Sequence, residues 1–399
     1  MADPVPYIDF ESLGSGGREQ ALFDDYCKSN PSPAPRSLGR VIRLDRGFPL
    51  VCCAEGTFRA EHAVALIKRA ESLSCVGDWV VLALPEGHDQ GLIEEILPRK
   101  QVLTRQDPAE RTGRQVLAAN IDLVFLLHAL SGERINVRRL EREMVSAYDS
   151  GATPVVVLTK ADLATDLDAD LEDVRRVVHG IEVIVESVYD GRGIERIRAL
   201  IDPSKTAVLL GSSGVGKSAL TNALVGGDFQ RTGAVRASDG RGRHTTVSRD
   251  LFLVRDGGVV IDTPGIRSIS LWDPGRGFAA AFPEIAEAAR ECRFSDCTHS
   301  DEPGCAVLAA VREGRIEQRR FASWRDLQRE AEENAERREE RRRMEGRKHE
   351  RGKTATGVGR RPQGRADTSK RQCWQDDELQ QELDDYRYGM DDDRDESLF

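Results

Sequence analysis

The 399-residue sequence has no apolar run long enough to cross a bilayer, and its first residues carry neither a basic cluster nor an apolar stretch. A membrane-spanning helix needs about 18 or more apolar residues in succession, and a signal peptide needs a basic start followed by an apolar segment. We therefore expect a cytoplasmic protein that does not act in a membrane. Cysteine is also scarce, with eight residues in the chain. This number is too small for a disulfide scaffold in a chain of this length.

The net charge of −10 conceals two opposed tracts towards the end of the chain. Residues 337–371 contain 14 lysines and arginines against five acidic residues, whereas residues 376–399 contain two against 11. A basic tract of this kind can bind nucleic-acid phosphates, and an acidic tail stays solvated or covers a basic partner. Two tails that only keep the protein in solution are the alternative interpretation.

Composition and apolar patterning divide the chain into five parts. A leader rich in Gly, Ser, Pro and acid is expected to be flexible, and short alternating runs then predict a β-barrel. Continuous Val/Ile/Leu strands between amphipathic helices predict a parallel α/β sheet covered on both faces. A helical segment with clustered cysteines and a charged, disordered tail complete the chain. The expected boundaries are 1–35 for the leader, 36–105 for the barrel, 106–283 for the α/β domain, 284–336 for the helical segment and 337–399 for the tail.

The segment GSSGVGKS follows an apolar strand and precedes a helix, which is the setting of a phosphate-binding loop. Lys217 is expected to reach the β- and γ-phosphates, and Ser218 to bind Mg²⁺. In VVIDTPG, the carboxylate of Asp262 can hold Mg²⁺ and Gly265 can donate its N–H to the γ-phosphate. The residues of the loop that we expect to contact the nucleotide are Gly211, Ser212, Ser213, Gly214, Val215, Gly216, Lys217, Ser218 and Ala219.

The segment TKAD, which begins at Thr159, predicts a guanine-binding site. Asp162 can accept hydrogen bonds from N1 and N2 of guanine, Lys160 can pack over the base, and Ser187 can support it from the other side. Each of these segments follows a strand of one parallel sheet, so their loops meet at its carboxyl edge whatever their order in the chain. Since TKAD precedes the phosphate loop, we infer that the fold is circularly permuted.

Three thiols and an imidazole are concentrated within CRFSDCTHSDEPGC. A set of three cysteines and one histidine fills a tetrahedron and leaves no position for substrate, so it predicts one structural zinc. The expected ligands are Cys292, Cys297, His299 and Cys305.

This order of motifs, together with GRHTT and INVRRLERE, resembles the circularly permuted, small-subunit-dependent GTPases of the RsgA (YjeQ) type, over about residues 39–325. The resemblance implies an N-terminal OB-fold, a permuted P-loop GTPase domain and a C-terminal zinc domain, with GTP, Mg²⁺ and Zn²⁺ bound. It also implies binding to the 30S ribosomal subunit and its 16S rRNA during late maturation, and we expect a monomer. Thr159 stands where the family usually has asparagine, and Val247 where a third threonine is common.

Hydrolysis of GTP needs a group that orients the attacking water, and Ile266, directly after DTPG, cannot supply one. His244 is the candidate for this role, and either Thr245 or Thr246 is expected to bind Mg²⁺ and close over the γ-phosphate. With Lys217 they form the predicted catalytic set. We expect slow turnover until a partner, by resemblance the 30S subunit, orders this loop.

Two other functions are compatible with parts of the sequence. One is an ATP-dependent P-loop enzyme in which TKAD is accidental, and nucleotide competition separates it from a GTPase. The other is an RNA-binding adaptor whose nucleotide site no longer turns over. The presence of Lys217, Ser218 and Asp262 argues against this second alternative.

Overall fold

The structure is a computed structural model that describes residues 9–45, 48–69, 73–85, 87, 90–106, 114–131, 134–227, 249–263 and 275–355. The chain divides into two units, of which the first comprises Met1–Arg105 with Gln115–Ala331, and the second Gln106–Arg114 with Glu332–Phe399. Among the helices of the described ranges, none combines the length and apolar character that a bilayer crossing requires.

The N-terminal segment contains a 3-10 turn (Phe10–Leu13) and a helix, α1 (Gly17–Ser29), where the sequence predicts a flexible leader. Leu13 is fully buried in the main core, and the ring of Phe10 meets that of Trp79 edge to face at 6.0 Å. The side chain of Glu19 accepts a hydrogen bond from the N–H of Gly16 over 3.1 Å and so caps α1. A few anchoring contacts therefore order a segment whose average composition favours disorder.

Five strands form a closed barrel. They are β1 (Arg36–Asp45), β2 (Phe48–Cys53), β3 (Gly56–His62), β4 (Trp79–Ala83) and β5 (Gly91–Ile96), with helix α2 (Val64–Arg69) between β3 and β4. Hydrogen bonding runs β1-β2-β3-β5-β4, and β4 pairs with β1 to close the circle. This is the arrangement of an OB-fold, so the predicted N-terminal barrel is confirmed. The next two strands, β6 (Val102–Gln106) and β7 (Arg114–Ala119), pair with each other.

The second sheet has six strands. They are β8 (Leu123–Ala129), β9 (Thr153–Thr159), β10 (Val183–Val185), β11 (Thr206–Leu210), β12 (Arg249–Leu253) and β13 (Val259–Asp262). Their order is β10-β9-β8-β11-β13-β12, and all neighbours are parallel except β12 and β13. Alternate residues of β8 enter two different core clusters, so both faces of the sheet are buried, as the continuous apolar strands predict.

Helices cover this sheet and continue beyond it. They are α3 (Val137–Asp149), α4 (Leu167–Val177), α5 (Ile194–Leu200), α6 (Lys217–Val225), α7 (Gly275–Ala281), α8 (Pro283–Ala289), α9 (Ala306–Arg312) and α10 (Gln318–Ala355). The sequence predicts a disordered tail from residue 337. In the structure the first part of that range is helical, because α10 continues to Ala355. Its i,i+4 ion pairs, such as Arg343 with Glu339, stabilise an exposed helix.

Strand pairing and a buried arginine join the barrel to the six-stranded sheet. β1 pairs with β12 in antiparallel fashion, with Arg43 opposite Asp250 and an ion pair between their side chains. Arg40 of β1 is fully buried, donates to the hydroxyl of Thr206 in β11 over 2.7 Å, and stacks over the ring of Trp79 at 5.0 Å. Burial lowers the pKa of Arg40 to about 10 despite nearby carboxylates, which still leaves it charged at neutral pH.

A buried charge cluster attaches the C-terminal helices to α3. Arg320 of α10 donates to Glu141 of α3 over 2.9 Å and to Glu284 of α8 over 2.6 Å. Its guanidinium also stacks on the ring of Phe282 at 4.4 Å, and Ser323 donates to Glu141. Because Glu141 and Arg320 are both buried, this cluster fixes the position of the cysteine-bearing segment against the α/β domain.

Candidate functional site: a nucleotide-binding edge and a metal centre

The phosphate-binding loop connects the end of β11 to the start of α6. Gly214 and Gly216 have φ angles of 77° and 114°, in the left-handed region that favours glycine. Gly211 has no room for a side chain, because a Cβ there would lie 2.9 Å from the carbonyl oxygen of Leu127. The loop predicted over residues 211–219 is therefore a tight turn that presents backbone N–H groups and a helix N-terminus to an anion.

Lys217 is the first residue of α6 and folds back across this loop. Its Nζ donates to the carbonyl oxygens of Gly211 over 2.8 Å and Ser212 over 3.0 Å. Burial lowers the pKa of the Lys217 ammonium, and the carboxylate of Asp262 opposes this effect. An ammonium held against neutral carbonyls is placed where phosphate oxygens would compete for it.

The expected magnesium ligands in the described part of the chain lie on adjacent elements. Asp262 is buried at the end of β13, where it is paired in register with Leu209 of β11, and Ser218 follows in the first turn of α6. A carboxylate and a hydroxyl are oxygen ligands of the kind that Mg²⁺ prefers. These residues fit a magnesium ion, which would supply positive charge to offset the charge that develops on the phosphates.

The residues predicted to read guanine come together at the ends of β9 and β10. Lys160 has a φ of 58°, and the short 3-10 turn Ala161–Leu163 presents the exposed carboxylate of Asp162. Ser187, fully buried after β10, donates from Oγ to Asp162 Oδ1 over 2.8 Å. The sequence predicts that Ser187 supports the base; in the structure it also holds the carboxylate that would read the base.

Thr159 connects this reader to the phosphate loop. Its hydroxyl donates to the carbonyl oxygen of Val215 over 2.6 Å. The side chain of Thr159 is buried, and Gly216 lies close enough that a Cβ added there would be 3.8 Å from it. The two loops, which the sequence places about fifty residues apart, are thus in direct contact.

A second polar group lies behind the phosphate loop and was not identified from the sequence. His128, near the end of β8, has its Nε2 2.9 Å from Oε2 of Glu143 on α3, and Arg139 donates to Oε1 of Glu143 over 2.7 Å. Burial acts to raise the pKa of the Glu143 carboxyl, but His128 and Arg139 lower it below its usual value. The charges of Arg139 and Glu143 also act on Lys217, so α3 contributes to the electrostatics of the phosphate site. A single polar residue inside the apolar run of β8 is the only sequence signal for this group.

The predicted metal ligands form one compact cluster: the ligand atoms of Cys292, Cys297, His299 and Cys305 all lie within 4.8 Å of one another. Nδ1 of His299 is 3.4 Å from Sγ of Cys305, and Sγ of Cys292 is 3.9 Å from the same sulfur. Zinc–sulfur bonds of about 2.3 Å in a tetrahedron place two sulfurs about 3.8 Å apart. The cluster therefore fits one tetrahedral zinc with no open position. The ring of His299 also packs against Trp324 of α10, with centroids 5.6 Å apart.

Several predicted residues lie outside the described residues. They are His244, Thr245, Thr246, Val247, Gly265 and Ile266. In the sequence they adjoin two described strands, because β12 begins at Arg249 and β13 ends at Asp262.

A parallel α/β sheet with a phosphate loop, an acidic strand end and a guanine reader at one carboxyl edge defines a P-loop GTPase. In this chain the reader precedes the phosphate loop, yet β9, β10, β11 and β13 bring both to the same edge. The protein is thus a GTP hydrolase of circularly permuted order.

Comparisons with known proteins agree with this class. The RsgA GTPase family model matches residues 96–272. The small ribosomal subunit biogenesis GTPase RsgA of Streptomyces coelicolor is 42% identical over 334 residues, which cover 83% of this chain and 89% of that protein. YjeQ from Thermotoga maritima matches in structure with a TM-score of 0.56 and 27% identity, over 74% of this chain and 99% of that one. YloQ, described as a circularly permuted GTPase, has the same fold with a TM-score of 0.53 and 24% identity, over 76% of this chain and 98% of that one.

The chain therefore belongs to the RsgA GTPase family. The family, the permuted order and the barrel that the sequence predicts are confirmed.

Proposed function

We propose that this protein binds the small (30S) ribosomal subunit in the cytoplasm, hydrolyses GTP to GDP and phosphate when the subunit stimulates it, and acts in late maturation of that subunit. The observation that carries the proposal is the coincidence of the predicted guanine and phosphate loops at one sheet edge with a relative, 42% identical over most of both chains, that is named a small ribosomal subunit biogenesis GTPase.

The residues that would bind GTP are those at the carboxyl edge of the six-stranded sheet. Asp162, held by Ser187, would accept from N1 and N2 of guanine, and Lys217 would contact the β- and γ-phosphates. Ser218 and Asp262 would hold Mg²⁺, joined by Thr245 or Thr246. In this proposal His244 orients the attacking water and the cluster around Cys305 holds one structural zinc.

The OB-fold barrel and the C-terminal segment would provide the contacts to the subunit and its 16S rRNA. OB-folds bind nucleic acid on their strands and connecting loops. The β1–β12 pairing supports a role for the barrel in catalysis, because β12 begins three residues after Thr246. Contact of rRNA with the barrel would act through the β1–β12 pairing on the end of the predicted catalytic loop. We propose a monomer in solution.

The experiment that tests the proposal measures GTP hydrolysis by the full chain alone, with purified 30S subunits and with purified 50S subunits. We expect slow intrinsic turnover that 30S subunits raise by at least about a hundredfold, since completion of a GTPase site by a partner is worth about 10³ to 10⁵ in rate. Lys217→Ala should abolish the stimulated rate. Equal rates with 30S and 50S subunits, or none with either, would contradict the proposal, and preference for ATP in competition would favour the ATP-dependent alternative.

A further inference from the structure

Glu186 is a buried carboxyl group inside the guanine-reading region to which none of the roles above applies. It follows β10 directly and is 2% exposed. Its backbone N–H donates to the carbonyl oxygen of Leu158 over 2.8 Å, and its own carbonyl oxygen accepts from the N–H of Ala161 over 3.0 Å. Glu186 therefore lies directly beside the turn that carries Asp162, and immediately before Ser187.

The groups around this carboxyl group act in opposite directions on a negative charge. Oε1 of Glu186 is buried without a hydrogen-bond partner. The backbone N–H groups of Lys160 and Val188 face the carboxyl group and favour its charged form, while the charged side chains that act on it, Asp162 and Asp190, are both acidic. Burial, followed by these two carboxylates, raises the pKa of Glu186 to about 7.

The two neighbouring carboxyl groups differ in what they can do. Asp162 is exposed and accepts the hydroxyl of Ser187, and it is the proposed acceptor of two hydrogen bonds from guanine. A second negative charge beside it would be buried, with one oxygen unsatisfied, and such a charge is stable only if water or a donor reaches it.

We infer that Glu186 is a positioning residue for guanine recognition, which in its neutral form holds the two reader loops, residues 159–163 and 187–193, in place around Asp162. Ionisation of Glu186 requires the loops to open so that Oε1 is hydrated, and this opening displaces Asp162 and Ser187 from the base. The inference rests on the proposed role of Asp162 as guanine reader and adds the residue that maintains its geometry.

The direction in which pH changes nucleotide affinity depends on whether the bound or the free form holds the proton of Glu186 more tightly. The nucleotide-bound form closes the loops over neutral Glu186, so it retains the proton to higher pH than the free form does. Affinity for the nucleotide is therefore highest below pH 7 and falls as the pH rises through the pKa of the free protein. For one proton linked in this way, affinity falls by up to about 25-fold between pH 6.5 and 8.5.

The test is the Kd of GDP, measured by calorimetry at pH 6.5, 7.5 and 8.5 on the full chain and on two variants. Glu186→Gln has the shape of the neutral acid and cannot ionise, so it should bind GDP at all three values about as tightly as the unmodified protein does at pH 6.5. Asp190→Asn removes one of the two acidic neighbours, although Asp190 also pairs with Arg192 at 3.2 Å, and should move the loss of affinity to lower pH without abolishing it. Ionisation of the GDP phosphates affects every protein equally and cancels in the comparison.

A parallel decline of affinity in the unmodified protein and in Glu186→Gln would overturn the inference, as would weak binding by Glu186→Gln at every pH when that variant melts like the unmodified protein. If Glu186→Gln does not fold, proton uptake by the unmodified protein decides the question. Calorimetry at pH 8 in two buffers of different ionisation enthalpy should then show uptake of a fraction of a proton on GDP binding, and no uptake would contradict the inference. If Asp162→Asn nevertheless acquires xanthosine specificity, the proposed function stands and only the role of Glu186 fails.

Discussion

The hydroxyl of Thr159 and the carbonyl oxygen of Val215, 56 residues apart in sequence, are joined by a hydrogen bond of 2.6 Å. The same hydroxyl lies 3.4 Å from the carbonyl oxygen of His128 at the end of β8. One short side chain thus connects the guanine loop, the phosphate loop and the strand between them. Thr159 therefore supplies a contact that joins the two loops into one site.

This contact predicts the result of replacing Thr159 by valine. Valine has nearly the same shape but no donor, so the carbonyl of Val215 loses its hydrogen bond in a buried place, which costs about 1 to 3 kcal/mol. We expect GDP affinity to fall by about tenfold, measured by calorimetry at constant Mg²⁺ concentration. Thr159→Ser keeps the hydroxyl and serves as the matched control, with affinity within about threefold of the original. Unchanged binding by the valine variant would show that the two loops hold their positions independently.

Base selectivity should reside in Asp162. In Asp162→Asn the amide offers a donor to the 2-oxo group of xanthine, where the carboxylate accepts from N2 of guanine. Competition between guanosine and xanthosine diphosphates should therefore reverse in favour of xanthosine, by about a hundredfold or more in the ratio of affinities. Retained guanosine preference in this variant would remove Asp162 from the reader.

The sequence suffices to predict a candidate site because each of its chemical elements is contained in a short segment. The glycines of the phosphate loop, Asp162 and the four metal ligands carry their chemistry in local spacing, and the rule that strand ends share one edge brings the first two together. The contacts that the sequence does not show are those between distant residues. Arg320 reaches Glu141 across 179 positions, and Leu13 becomes part of the core although its neighbours resemble a flexible leader.

Glu186 shows a different limit of sequence reasoning. It adjoins the predicted Ser187, but glutamate after an apolar strand usually means an exposed strand end. Only the three-dimensional surroundings of its carboxyl group distinguish a solvated acid from a buried one, because burial and neighbouring charges depend on loops that are separate in the chain.

The buried cluster around Arg320 should control the stability of the C-terminal helices. Arg320→Ala leaves Glu141 buried with a negative charge and without its main partner, and loss of one member of a buried pair costs about 3 to 5 kcal/mol. We expect a fall of this size in the free energy of unfolding, measured with urea. Arg315→Ala, which removes an exposed partner of Glu313, is the matched control and should change stability by less than about 1 kcal/mol. Similar effects of the two substitutions would show that the buried cluster contributes little to stability.

Catalysis should depend on His244, a prediction from the sequence alone. His244→Ala should keep GTP binding and lose about a hundredfold or more of the turnover stimulated by 30S subunits, since a group that prepares the attacking water contributes about 10² to 10⁴. Ile266→Gln in the same background should not restore the rate, because the position after DTPG has no catalytic part in this scheme. Full stimulated activity in His244→Ala would transfer the role to another residue or to the subunit.

Trp324 provides a direct readout of the metal centre. Its ring packs against His299 at 5.6 Å and against Phe278 of α7 at 6.5 Å, and it stacks on Phe321 at 5.8 Å. Release of zinc frees His299 to move, because apparent zinc affinities of about 10 to 16 kcal/mol are what organise such small loop-rich segments. Tryptophan emission should therefore shift to longer wavelength when a strong chelator removes the metal, and Cys305→Ser should show the shifted emission from the start. Trp324→Phe, measured in parallel, assigns the change to this residue among the four tryptophans of the chain.

The nucleotide site should respond much less to loss of the metal. The described contacts of the guanine and phosphate loops come from β8, β9, β10, β11 and the turns that follow them, and none of those contacts involves the metal ligands. Cys305→Ser should therefore bind GDP within about threefold of the unmodified protein, while its zinc content, measured by a colorimetric assay, falls from one ion per chain to none. The buried contact between Arg320 and Glu141 is a route by which disorder in the cysteine-bearing segment could reach α3. Simultaneous loss of zinc and of GDP binding would show that this route is stiff enough to make the metal centre and the nucleotide site a single folding unit.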